Sequence, residues 1–141
     1  MNNGFFSAPK PDNEPVLKYK KNSPERKEVL KKYKELYNSN IAVPLYIGSK
    51  KIITNIRAKM APPHDHKHTL GSFSMAEASH VSKAIDAALT ASPNWECTSF
   101  ENRAAVFLKA ADLITGPYRA KINAATMLAQ SKNIFQAEID A

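Results

Sequence analysis

Cysteine is nearly missing from this 141-residue sequence: Cys97 stands alone. No internal disulfide framework and no cysteine-rich metal site can form, and the chain suits a reducing compartment. Glycine is almost as scarce, with residues only at 4, 48, 71 and 116. That spacing builds neither a G-x-G-x-x-G turn nor a G-x-x-x-x-G-K-S/T phosphate loop. Long apolar runs are lacking because Lys, Asp, Asn or Pro interrupts every stretch before the roughly 18 positions that a bilayer span needs. Residues 1–12 hold Phe5, Phe6, Pro9 and Pro11 but no Arg and no apolar segment of useful length. They match neither a secretory signal nor an Arg-rich amphipathic presequence.

What is present, 43% hydrophobic and 23% charged residues in 15.6 kDa, has the make-up of one soluble globular domain. The net charge of +7 is unevenly spread. Residues 1–59 hold 13 Lys/Arg against 5 Asp/Glu, a net of +8, and residues 60–141 hold 7 against 8, a net of −1. Sixteen of the twenty cations are Lys, so the Arg forks that read bases or clamp phosphates are few. Lys27, Lys31, Lys32 and Lys34 interleave with Glu25, Glu28 and Glu35 at helical spacing, which describes a solvated helix surface better than a nucleic-acid site.

Ser23-Pro24-Glu25 opens a helix expected over 24–37, with Val29, Leu30, Tyr33, Leu36 and Tyr37 as its apolar face, behind an extended arm at 1–22. Alternating Val43, Leu45 and Ile47, then Ile52, Ile53, Thr54 and Ile56, predict a hairpin over 43–56 that turns at 48–51. Residues 69–73 read as another short strand. From residue 74 the period becomes helical. Ser74 with Glu77 predicts a capped helix over 76–91 stopped by Ser92-Pro93, and Thr98 with Glu101 another over 99–115. Pro117 is expected to open a third over 117–130, bearing Ile122, Ala125 and Leu128. A short helix from 134, capped by Asn133 and Gln136, has no stop signal, which suggests a chain cut within a helix.

Two candidate chemistries are weak. His64, His66 and His68, with Asp65, would share one face of an extended strand, but residues two apart seldom converge on one ion without a further ligand. The expectation is a polar loop and no metal site. Cys97 could act as a nucleophile only with a base or helix N-terminus beside it, and its neighbour Glu96 opposes thiolate formation. The Ala-rich stripes at 84–91 and 104–111 are expected to be packed helix faces, not a cofactor box.

Several segments, in order, resemble one family. They are Asn13-Glu14-Pro15-Val16-Leu17, Ser23-Pro24-Glu25-Arg26, Lys83-Ala84-Ile85-Asp86-Ala87-Ala88-Leu89 with Trp95 beyond, and Phe107-Leu108-Lys109-Ala110-Ala111-Asp112. Gly116-Pro117, Arg119-Ala120 and Gln136-Ala137-Glu138-Ile139-Asp140-Ala141 continue the series. From about Asn13 onward the chain resembles the N-terminal part of the Δ1-pyrroline-5-carboxylate dehydrogenases, aldehyde dehydrogenases that oxidise L-glutamate γ-semialdehyde. Residues 57–70 match only in the spacing of Pro63, His66 and His68, and Ser131-Lys132 stands where many relatives have Gly-Lys.

The resemblance implies an α/β aldehyde dehydrogenase fold, with this chain as the mostly helical leading part of the NAD-binding domain, including a β-hairpin. It implies NAD as cofactor, glutamate γ-semialdehyde as substrate, a homo-oligomer, a place in proline catabolism and the mitochondrial matrix. The family's Cys nucleophile, oxyanion donors and water-activating Glu are expected outside residues 1–141, so no catalytic or cofactor-binding residue is assigned here and the isolated chain is expected to be inactive. Apolar stripes Val81/Ile85/Leu89, Val106/Ala110/Leu113 and Ile122/Leu128 are then expected to lack covering partners. A different class, a free-standing basic helical module for an acidic partner or RNA, accounts for the charge of residues 1–59 but not for the ordered segments.

Overall fold

The computed structural model describes residues 7, 9, 10 and 12–140. Phe5, Phe6, Pro11 and Ala141 lie outside them. Residues 12–20 carry neither helix nor strand and lead into the first helix, α1 (Pro24–Tyr37). The Ser23 hydroxyl accepts from the Arg26 amide at 3.4 Å, and Pro24 occupies the first turn, where no N–H is required. At the other end the Asn38 side chain donates to the Lys34 carbonyl at 2.9 Å. Of the anticipated stripe only Val29 is fully buried, and Leu30 is exposed.

Five short strands follow: β1 (Ile41–Val43), β2 (Leu45–Ile47), β3 (Lys50–Ile52), β4 (Arg57–Met60) and β5 (Gly71–Ser74). The hairpin exists but is shorter than expected. Leu45 pairs with Ile52 and Ile47 with Lys50, around a two-residue loop in which Gly48 supplies φ +57°. Lys50 and Lys51 are therefore strand, not turn, and 53–56 lie outside it. Val43 belongs to a second sheet, ordered β1-β5-β4, where it runs parallel to Phe73 while β4 pairs antiparallel with β5. β4 was not read from the sequence because two of its four residues, Arg57 and Lys59, are cations on its exposed side. At Gly71 (φ +142°) a Cβ would come within 1.9 Å of the Ile41 carbonyl oxygen, so only glycine lets β1 lie this close.

Among the described residues four further helices follow: α2 (Ala78–Glu96), α3 (Phe100–Thr115), α4 (Arg119–Gln130) and α5 (Ile134–Asp140). Ser74 does not cap α2. It remains in β5 opposite Arg57, its hydroxyl accepting from the Thr54 amide at 3.3 Å, and Glu77 takes the cap position instead. Pro93 does not stop α2 either. A proline there forfeits one ladder bond near the helix end, and the final turn continues until the Cys97 amide donates to the Pro93 carbonyl at 3.2 Å. Ser99, not Thr98, caps α3, accepting from the Asn102 amide at 3.4 Å. Pro117 lies in a turn before α4, which begins at Arg119 after Tyr118. The reciprocal Asn133–Gln136 cap of α5 forms as expected, with bonds of 2.9 and 3.0 Å.

The core lies where α4 packs on α1 and α5. Val29, Ala124, Leu128, Ala137 and Tyr19 are buried there. The face of α4 that goes inward is Asn123/Ala124/Leu128; Ala125, expected inside, is exposed. Neither α2 nor α3 buries a single residue, and Leu89 and Phe107 are 67% and 68% exposed.

Candidate functional site

The histidine run is a pair of turns, so its alternation does not gather the rings on one face. The Asp65 amide donates to the Pro62 carbonyl at 3.0 Å and the His68 amide to the Asp65 carbonyl at 3.1 Å. His64 contacts the hydroxyls of Ser131 (2.8 Å) and Tyr33 (3.3 Å), and His66 is exposed. His68 stacks on Tyr37 at a ring-centre distance of 3.8 Å, with its Nε2 2.6 Å from the Tyr37 carbonyl oxygen. Tyr37 donates its hydroxyl to Asp65 at 2.9 Å, which lowers the carboxyl's pKa and raises the phenol's. Among the described residues no three His, Cys, Asp or Glu side chains converge as a metal site. The loop is a clasp onto α1.

Cys97 is exposed at the C-terminal cap of α2, the negative end of a helix dipole. The nearby Glu96 carboxylate is engaged by the Ser92 hydroxyl at 2.8 Å. Cys97 thus lies in the short link between the end of α2 and Ser99, the cap that opens α3.

A dinucleotide has no cradle among the described residues. One strand runs directly into a helix, β5 into α2, and its connection Met75-Ala76-Glu77 contains no glycine. Glu77 stands at the helix cap, where it puts a carboxylate in the place a pyrophosphate would need. The residues present do not fit NAD. An apolar groove of about 380 Å³ between Ile41, Met60, Phe73 and Leu128 offers Lys59 as its one charged lining group and no paired acid and base.

The most built polar site is one that sequence reasoning missed. Glu138 of α5 is sealed against Arg119 and Asn123 of α4 and against the N-terminal arm. Its Oε1 accepts from the Leu17 amide at 2.8 Å and from Arg119 Nη2. Its Oε2 accepts from Tyr19 Oη at 2.6 Å, Asn123 Nδ2 at 2.7 Å and Arg119 Nε at 3.3 Å. Arg119 also donates to the Pro15 carbonyl at 2.8 Å, and Arg26 to the Tyr19 carbonyl at 3.2 Å. Burial by itself raises the Glu138 pKa, but donors from Arg119, Tyr19, Leu17 and Asn123 together outweigh it and hold the carboxyl below its ordinary range. Burial and then the adjacent carboxylate push Tyr19 up to about 12.

Both carboxylate oxygens are thus occupied, and the crevice beside them measures about 10 Å³, at or below the space of one water. The cluster can hold chain segments together; it presents no acid, base or nucleophile to a substrate. One signal existed in the sequence. Asn123 sits on the α4 stripe, and Glu138 stands beside Ala137 on a helix too short to be stable without partners.

Residues 54–141 match the model of the aldehyde dehydrogenase family. A Delta-1-pyrroline-5-carboxylate dehydrogenase of Agaricus bisporus is 44% identical over 137 residues, which is 96% of this chain and 25% of that protein. The mitochondrial Delta-1-pyrroline-5-carboxylate dehydrogenase of Homo sapiens is 42% identical over 135 residues, 96% of this chain and 24% of that one. In structure, the Delta-pyrroline-5-carboxylate dehydrogenase of Mycobacterium tuberculosis, solved with NAD and cobalamin, superposes with a TM-score of 0.94 at 40% identity. The match covers 99% of this chain and 26% of that chain. The chain spans about a quarter of the length of the relatives it matches.

Proposed function

Because the chain belongs to the aldehyde dehydrogenase family, we propose that it is the leading portion of an NAD-dependent enzyme oxidising L-glutamate γ-semialdehyde. In this reading the aldehyde arises from Δ1-pyrroline-5-carboxylate, the product is L-glutamate, and the reaction belongs to proline catabolism. The observation that supports it is the match along 99% of this chain to 26% of a Delta-pyrroline-5-carboxylate dehydrogenase. Relatives named as mitochondrial in Homo sapiens, Mus musculus and Bos taurus favour the mitochondrion as the place of action, and the matrix is part of the same proposal. Among the described residues no helix is long and apolar enough to cross a membrane. A homo-oligomer is part of the same proposal.

The chemistry of the proposed reaction is assigned to groups outside residues 1–141. An aldehyde oxidation of this kind needs an activated thiol, donors for the oxyanion and a hydride acceptor. Cys97 is exposed in the link between α2 and α3, and Glu138, the most buried carboxylate among the described residues, is fully engaged. What this portion contributes is placement: a core around α4 and broad apolar faces on α2 and α3 against which further chain can pack.

The test is a comparison of the purified chain with a mixture. Residues 1–141 alone, given glutamate γ-semialdehyde and NAD+, should form no NADH, and Cys97→Ser should change nothing. Mixed with the remaining three quarters of the human relative, the chain should support NADH formation. Turnover by the chain alone that Cys97→Ser abolishes would overturn the assignment of catalysis, and an inert mixture would remove the enzyme-portion reading.

A further inference from the structure

The arm is held without any backbone ladder. Residues 12–20 contribute to neither helix nor strand, yet Tyr19 is buried to 4% exposure and Leu17 is half buried. Its polar ties run to four side chains: Arg119 holds the Pro15 carbonyl, Arg26 holds the Tyr19 carbonyl, and Glu138 and Asn123 hold the Leu17 amide and the Tyr19 hydroxyl. The arm is also strained. Tyr19 has φ +45°, a left-handed conformation that a bulky residue keeps only where its surroundings fix it, whereas Asn22 at φ +68° is of a type that adopts this region readily. Two of the arm's own donors, the Leu17 amide and the Tyr19 hydroxyl, end on the one Glu138 carboxylate, so losing that acceptor removes the ties on either side of the left-handed Tyr19 backbone that the two arginines alone do not replace.

We infer that residues 15–22 form a strap, closed on α4 and α5 by the Glu138 carboxylate, which opens as a unit when that carboxylate is neutralised while α1 and α4 stay folded. The groups that face Glu138 are Leu17 and Tyr19 from the arm and Arg119 and Asn123 from α4, with the charge of Glu14 acting on Arg119. α1 keeps its own cap at Ser23 and its packing on α4 through Val29, so it does not need the strap to remain in place. Exposed Lys18, Lys20 and Lys21 mark the strap for a protease once it lifts, because cleavage requires a locally extended segment.

The experiment is limited trypsin digestion of the intact chain with cleavage sites read by mass spectrometry, together with hydrogen exchange at the Leu17 and Leu128 amides. Glu138→Gln should raise cleavage at Lys18, Lys20 and Lys21 by about tenfold or more while Leu128 stays protected, as a local opening predicts. In the unaltered chain, lowering the pH should free the Leu17 amide before the Leu128 amide. Should Glu138→Gln unfold the protein, Tyr19→Phe, which removes one donor without discharging the carboxylate, should give a smaller rise at the same three sites. Unchanged cleavage in the variants would show that Glu138 is not the closure. Exchange of Leu17 only together with Leu128 would show that the strap is no separate unit.

Discussion

Helices α3 and α4 make an instructive pair. α3 has 16 residues with Val106, Phe107, Leu113 and Ile114 along it, and it buries none of them fully. α4 has 12 residues and a poorer apolar stripe, yet it buries Asn123, Ala124 and Leu128. Position decides the difference: α4 lies between α1 and α5 with the arm across its first turn, whereas α3 touches the rest of the chain mainly where it meets α4. Periodicity states that a helix has a face to cover; it does not say whether the cover lies within the same stretch of sequence. Of the third apolar stripe, Leu128 is buried and Ile122 partly so, and the stripes of α2 and α3 remain open.

That contrast can be broken most forcefully at Arg119. Arg119→Ala leaves the Glu138 carboxylate, 1% exposed in its side chain, without its cation, and should cost about 3–5 kcal/mol in urea unfolding. A loss under about 1 kcal/mol would mean that the cluster is not what secures α4 and α5. Next comes Val29→Ala, which opens a gap where α1 meets α4; about 1–3 kcal/mol should be lost in the same measurement.

Titration sharpens the comparison at lower cost to the fold. Glu138 has a depressed folded pKa, so its contribution is present above the ordinary carboxyl value of 4.5 and disappears as the pH falls through the lower folded value. Tyr19 is the opposite case. Its raised pKa gives a contribution that is full below 10.0 and is lost as the pH climbs towards about 12. Thermal melts across pH should therefore show a plateau bounded on both sides, and Tyr19→Phe should flatten the alkaline edge. The smallest effect is expected on the open helices: Ile85→Ala and Phe107→Ala should each move stability by no more than about 0.5 kcal/mol. Ile85→Asp combined with Phe107→Ser should instead reduce self-association seen by light scattering, because those side chains are 55% and 68% exposed on an apolar surface.

Local signals were legible where the residues concerned act on their own neighbours. Ser23-Pro24 set the start of α1 and Asn133 with Gln136 set the start of α5, since a cap bonds to amides two or three positions away. Ser74 misled because a serine followed three residues on by Glu carries the same signature, while strand pairing with Arg57 had already engaged it. Pro93 misled because its cost depends on how many helical bonds lie beyond it, and here few do. The Glu138 cluster was illegible for another reason. Its members at 17, 19, 119, 123 and 138 have no periodic relation, and a buried carboxylate looks in sequence like any helix-surface Glu. Arg119 and Glu138 both lie in segments that resemble the family, but at 19 positions apart nothing in the sequence indicates that they touch.

The bond from the Leu17 amide to Glu138 spans 121 positions of sequence. On a ribosome adding about 5–20 residues per second, its two ends are made some 6–24 seconds apart. During that interval the lysine-rich beginning of the chain has no acceptor to settle against, although α1 can already form. Closure of so long a loop is also late in any refolding from denaturant, since its entropy must be met before the contact returns anything. Residues 15–22, though made before α4 and α5, are therefore secured only once residue 138 is in place.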